Sequence, residues 1–177
     1  MNINRSVYAG GVGQDAVDRI ASQWAAVRPD VDTSPLEVIG RVSRLSRLID
    51  QRLAESFARF DLEAWMYDVL ATLRRNGSPY ELTAGDLVRQ SMVTTGAVTN
   101  RIDRLAQRGL VERAGAADRR KVIVRLTPAG VDLVDEVVVA HMEAEREILA
   151  GLTARQRSDL VRLLRASLLS LGDHAAS

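Results

Sequence analysis

A chain of 177 residues with 46% hydrophobic but only 4% aromatic content has the size for one domain of aliphatic, mostly helical packing. It has no cysteine, which excludes disulfides, thiolate metal sites and cysteine nucleophiles; no aliphatic run nears the roughly 20 residues of a membrane span, and no signal-peptide pattern opens the chain, so a cytoplasmic protein with no membrane partner is expected. The net charge of +1 hides a segregation: Arg89 to Lys121 carries eight basic and three acidic residues, while Pro128 to Ala150 carries six acids and one base, so one face should be basic and another acidic.

The first dozen residues, with Gly10 and Gly11, read as a disordered lead-in. Asp15 to Val27 is a short amphipathic helix with Val17, Ile20, Ala21, Trp24 and Val27 along one side, and Arg28 to Thr33, with Pro29 and two aspartates, is a linker. Ser34-Pro35-Leu36-Glu37 has the pattern of an N-cap, a first-turn proline and a capping-box glutamate. It predicts a helix from Pro35 to about Arg59 whose stripe is Val38, Val42, Leu45, Ile49 and Leu53. Asp61 is expected to cap the next helix, which runs through Leu73 until Asn76-Gly77 stops it.

A run of short elements follows. Thr83 caps a brief helix carrying Leu87 and Val88, with Asp86 in the capping-box position. Ser91 to Thr95 is a polar turn, and a longer helix with Val98, Ile102 and Leu105 on its apolar side runs through Gln107 to a left-handed stop at Gly109. Two short helices joined by a tight turn make a helix-turn-helix. Leu110 to Arg113 and Lys121 to Leu126 read as strands, the second alternating Val122, Val124 and Leu126 with Lys121, Ile123 and Arg125. The loop between them bears Asp118, Arg119 and Arg120, so the pair is a basic β-hairpin wing. Thr127-Pro128 opens a helix toward Leu149, and the Thr153/Gln156 capping box opens a last helix lined by Leu160, Leu163, Leu164, Leu168 and Leu171. These terminal helices hold more aliphatic surface than a small winged module covers, so they are expected to pair with a second copy, giving a homodimer.

The fold class expected is therefore mostly α with a small β-hairpin wing: a winged helix-turn-helix with N- and C-terminal dimerisation helices. Its segments are 1–33, an extension with a short helix; 34–62, a dimerisation helix; 63–127, the DNA-binding lobe; and 128–177, the C-terminal dimerisation helices. The second short helix suits the major groove of double-stranded DNA, because small polar residues at its start let the backbone approach the bases. Hydroxyls of Thr94, Thr95 and Thr99 can bond phosphate or base edges, Ala97 can touch a thymine methyl, Asn100 can read adenine, and Arg104 adds a cation. Guanidinium groups of Arg119 and Arg120 at a hairpin tip suit the narrower minor groove, with Asp118 as an internal brace.

Leu82 to Gly130, above all Asp118-Arg119-Arg120, Val122 to Leu126 and Leu126-Thr127-Pro128-Ala129-Gly130, resembles the MarR family of regulators, and the likeness extends from about Pro35 to Leu171. The resemblance implies a dimer joined by its terminal helices, a palindromic operator, and a ligand cleft between lobe and dimer helices. The added N-terminal helix resembles the urate-responsive branch that includes the PecS regulators. That likeness implies a site for urate or a related purine formed by Trp24, Asp68 and Arg101, in which an indole stacks on the purine and a guanidinium pairs with its anion.

Other readings stay open at this point. One is a helical protein-interaction module whose basic lobe docks an acidic partner; another is a MarR-type regulator sensing a phenolic or lipophilic compound. An enzyme is not expected. The histidines, His141 and His174, have no metal-ligand spacing or nucleophile motif around them, and no glycine-rich phosphate motif occurs, so neither catalytic residues, metal nor cofactor is assigned.

Overall fold

The computed structural model describes residues 13–91, 98–114 and 122–174. The lead-in over residues 1–12, most of the Ser91 to Thr95 turn and the tip of the hairpin lie outside them. The order of elements is α1 (Ala16–Val27), α2 (Ser34–Ala58), α3 (Ala64–Arg75), β1 (Glu81–Thr83), α4 (Ala84–Gln90), α5 (Val98–Gln107), β2 (Val111–Ala114), β3 (Ile123–Leu126), α6 (Pro128–Ile148) and α7 (Ala154–Ser170). The mostly helical class with a small sheet is as expected. The chain packs as two units, one up to Asp50 and one from Gln51 onward.

In the first unit α1 opens with a capping box made of two aspartates. Asp15 Oδ1 accepts from the backbone N–H groups of Val17 and Asp18, and Asp18 Oδ2 accepts from that of Asp15. Both carboxylates also hold the guanidinium of Arg41 on α2, at 2.8 and 2.6 Å. Val17 is buried beside Gly40, where a Cβ would stand 3.1 Å from a Val17 methyl; the absence of a side chain at Gly40 lets the two helices approach. The start of α2 differs from the expected cap. Ser34 is already helical, and its N–H and hydroxyl donate to Asp32, which thus competes for the groups that the cap reading assigned to Ser34.

The second unit is built on α3. Met66, Val69, Leu70 and Leu73 form a buried face against Phe57 and Leu62, Leu87 of α4, Ile102 and Leu105 of α5, Val124 and Leu126 of β3, and Val134 and Val137 of α6. Asp61 does not cap α3. It adopts φ +54°, and Leu62 N–H donates to Phe57 C=O at 3.1 Å, so Asp61 is the left-handed stop of α2, a position that aspartate tolerates better than most side chains. Glu63 precedes α3 in the cap position instead.

The sheet holds three strands in the order β1-β3-β2, both pairings antiparallel. The two hairpin strands were expected; β1 was not, because three residues carry no legible alternation. Val124 and Leu126 are buried as the alternation requires, but Val122 is exposed because it precedes the strand. Arg125 on the central strand lies opposite Glu81 on one neighbour and Glu112 on the other, and pairs with both.

The expected caps at Thr83, Thr127 and Thr153 are all present. Thr127 does more than cap: its hydroxyl accepts from Gly130 N–H and donates to Gly109 C=O at 2.6 Å, while its own N–H donates to Leu110 C=O. This brings the first turn of α6 so close to the chain that a Cβ at position 130 would lie 2.0 Å from the Leu110 carbonyl oxygen. Farther along, Asp135 of α6 receives a two-pronged contact from Arg74 of α3 at 2.8 and 2.9 Å.

Two outcomes follow from this packing. Gly130→Ala is expected to lower stability by about 1–3 kcal/mol in urea denaturation, since backbone rather than a yielding side chain blocks the new methyl. The hydrogen bonds from Arg74 hold the Asp135 carboxyl below its ordinary range. A lowered native value means that the pair's contribution is full above the ordinary carboxylate pKa of about 4 and fades as pH falls through the native one. Melting temperature should therefore drop on acidification toward pH 3, and Asp135→Asn should shrink the drop; an equal drop in the variant would show that the pair contributes nothing.

Candidate nucleic-acid interface

Thr83 ends β1 and caps α4 in one residue: its hydroxyl accepts from Asp86 N–H at 3.1 Å and donates to the Asp86 carboxylate at 2.5 Å. Leu87 then anchors α4 in the core. The next helix, α5, is divided by its own periodicity. Ile102 and Leu105 face inward and are fully buried, whereas Asn100 and Arg104, four residues apart, lie together on the exposed side. Asp103 fixes α5 to the wing by pairing with Arg113 of β2 at 2.5 Å. Arg108, past the end of α5, bonds the carbonyl and carboxylate of Asp61. The helix is thus tied at its middle and just past its C-terminal end while one flank stays open.

On that flank the two guanidiniums of α5 converge on one ring. Arg101 lies 5.4 Å and Arg104 5.0 Å from the centroid of Trp65 on α3. The Trp65 Nε1–H donates to Glu63 Oε2 at 2.8 Å, and Arg104 donates to Glu63 Oε1. These bonds, that from Trp65 foremost and that from Arg104 next, hold the Glu63 carboxyl below its ordinary range.

Of the expected DNA contacts, Thr94, Thr95 and Ala97 lie outside the described residues, as do Arg119 and Arg120, which fall in the connection leaving β2 at Ala114 and rejoining β3 at Ile123. Thr99 lies in the first turn of α5, with its side chain outside the described set, and Asn100 and Arg104 are exposed on that helix. Of the expected ligand residues, Asp68 and Arg101 are half-buried on α3 and α5, and Trp24 belongs to the first unit, where the residue is 51% exposed instead of packed in a core. Glu63 and Trp65 were not singled out from the sequence. The available signal was one of only two tryptophans in the chain, placed just past a turn; what it would touch depends on tertiary packing.

Among the described residues no group of three or more histidine, cysteine or acidic side chains is placed to hold a metal ion, and no helix is long and apolar enough to cross a membrane.

Residues 60–121 match the sequence profile of the MarR family. Along most of its length the chain is similar to the HTH-type transcriptional regulator PecS of Dickeya dadantii, with 41% identity over 149 residues covering 84% of this chain and 90% of that protein. It is 28% identical to the HTH-type transcriptional repressor NicR of Pseudomonas putida, over 76% of this chain and 87% of that one. Two solved structures share the fold. A MarR variant from Escherichia coli complexed with operator DNA superposes with a TM-score of 0.67 at 27% identity, covering 78% of this chain and 99% of that chain. Bordetella bronchiseptica BpsR, whose DNA binding is regulated by 6-hydroxynicotinic acid, superposes with a TM-score of 0.66 at 29% identity, covering 78% and 94%. The paired short helices, the three-stranded sheet and these likenesses lead to one assignment: the chain belongs to the MarR family of winged helix-turn-helix transcription regulators, on its PecS-like branch.

Proposed function

We propose that the chain is a DNA-binding repressor of the cytoplasm that acts as a homodimer on a palindromic operator and performs no catalysis. The observation that carries this reading is the division of α5, held from below by Ile102 and Leu105 and open on the side of Asn100 and Arg104. In this reading Thr94, Thr95, Ala97, Thr99 and Asn100 enter the major groove, Arg104 meets phosphate, and Arg119 and Arg120 reach the minor groove from the wing. The repressor role is supported by the likeness to NicR, and the DNA partner by the operator complex of the Escherichia coli relative.

The homodimer rests on unpartnered apolar surface. Val38, Ile39, Val42, Leu45 and Leu48 of α2 are exposed, and so are Val161, Leu163, Leu164, Leu168 and Leu169 of α7. Such stripes are costly in water and are covered when two copies share them. Half-sites about 10 base pairs apart suit a two-fold reader of this class.

A small planar anion, urate or a related purine, is the proposed effector, held by Trp24, Asp68 and Arg101. The exposure of Trp24 supports a stacking role over a core role, and the regulation of BpsR by a planar aromatic acid supports the ligand class. A hundredfold release of DNA requires the ligand to prefer the non-binding state by about 2.7 kcal/mol.

Gel-shift titration on duplexes selected from a random pool tests the DNA reading. Arg119→Ala or Arg120→Ala should weaken binding to every sequence and reduce the salt slope by about one, whereas Thr99→Ala or Asn100→Ala should change which sequence is preferred. A protein that stays monomeric and ignores duplex DNA at low salt would end the proposal. For the effector, urate added to the preformed complex should release the wild-type protein and leave a Trp24→Ala, Arg101→Ala variant bound; equal release of both rules out this pocket.

A further inference from the structure

The cluster at the start of α3 has a composition that the DNA reading alone does not use. A single indole serves two guanidiniums, and one carboxylate bonds both the indole N–H and one of those guanidiniums. Glu63 stands at the N-cap of α3, where a shorter Asp, Asn, Ser or Thr would bond the free backbone N–H groups, and it makes no such bond. Its oxygens are turned to Trp65 and Arg104 instead. Two cations over one ring repel each other, and a carboxylate beside them offsets that repulsion.

The mechanical sense lies in where these contacts sit on α5. Ile102 and Leu105 hold the helix from its buried side. Arg101 and Arg104 project from another side and are gripped by a ring belonging to α3, the helix at the centre of the core. A helix held on two sides resists rolling about its axis, and roll decides which side chains of its first turn face a groove. The grip also leaves Arg104 able to meet DNA, since guanidinium carries five N–H donors and Glu63 engages few of them.

We propose that Glu63 and Trp65 are positioning residues for DNA recognition: they seat Arg101 and Arg104 and so fix the roll of α5, which presents Thr99 and Asn100 to the bases. This rests on the DNA reading above. The members of the cluster are partly or largely exposed, so the seat adds little to stability. Its effect belongs in selectivity.

The test compares wild type, Trp65→Leu, Trp65→Phe and Glu63→Gln on two duplexes, one selected from a random pool by the wild-type protein and one scrambled version of equal length and composition. Trp65→Leu should lose about tenfold on the selected duplex and almost nothing on the scrambled one, with the salt slope unchanged. Trp65→Phe keeps a ring face for the guanidiniums and should recover most of the loss. Glu63→Gln should lose selectivity in the same sense, and being an exposed change it carries the test if Trp65→Leu fails to give a cooperative thermal melt. Equal losses on both duplexes, or full selectivity retained in Trp65→Leu and Glu63→Gln, would overturn the proposal. A wild-type protein that selects no duplex overturns the DNA reading itself, a result visible before any variant is made.

Discussion

The shared burial of Leu70 and Leu73 of α3, Leu105 of α5 and Val124 of β3 in one core is the constraint on which the rest of the lobe depends. None of the four has measurable exposure, and each fully buried side chain of this size contributes about 1.5–3 kcal/mol through removal from water. Because α5 and β3 bury side chains in the same core as α3, the second short helix and the hairpin are positioned together. The polar ties then refine what the core establishes: Asp103 with Arg113 joins α5 to β2, and Arg125 between Glu81 and Glu112 sets the strand register. Ion pairs this exposed are weak individually. Their value is in choosing among arrangements that the apolar core would accept.

This division of labour explains what could be read in the sequence. Caps such as Thr83, Thr127 and Thr153 are decided within three residues, so the local pattern suffices. The failures also have local causes. At Ser34 a second acceptor, Asp32, takes the hydrogen bonds that the pattern assigned elsewhere. At Asp61 the residue type is ambiguous in itself, since aspartate both opens helices and tolerates the left-handed conformation that closes them. The strand β1 is legible only through its partner β3, whose paired residues lie 40 to 44 positions away.

The candidate site divides along the same line. Asn100 and Arg104 could be placed on the open side of α5 from periodicity, because burial of Ile102 and Leu105 leaves them no other side. The seat formed by Glu63 and Trp65 could not, because its members are brought to α5 by the packing of α3 and by the turn that Asp61 makes possible. The N-terminal unit shows a similar coupling of charge and shape. Arg41 is gripped by the two aspartates that start α1, and Gly40 beside it provides the gap that Val17 fills.

The joint at Thr127 has a mechanical consequence. With its hydroxyl and amide both engaged by the Gly109-Leu110 turn, and with Gly130 pressed on the Leu110 carbonyl, α6 has no freedom to swivel where it leaves the sheet. It behaves as a lever rigidly clamped at one end. The helix has 21 residues, so at about 1.5 Å per residue it spans about 30 Å, and a tilt of about 5° at the clamp sweeps its far end through about 3 Å. Small angular changes at the clamp would thus become large displacements near Ile148, and a push near Ile148 would reach the Gly109-Leu110 turn as a fine adjustment of angle.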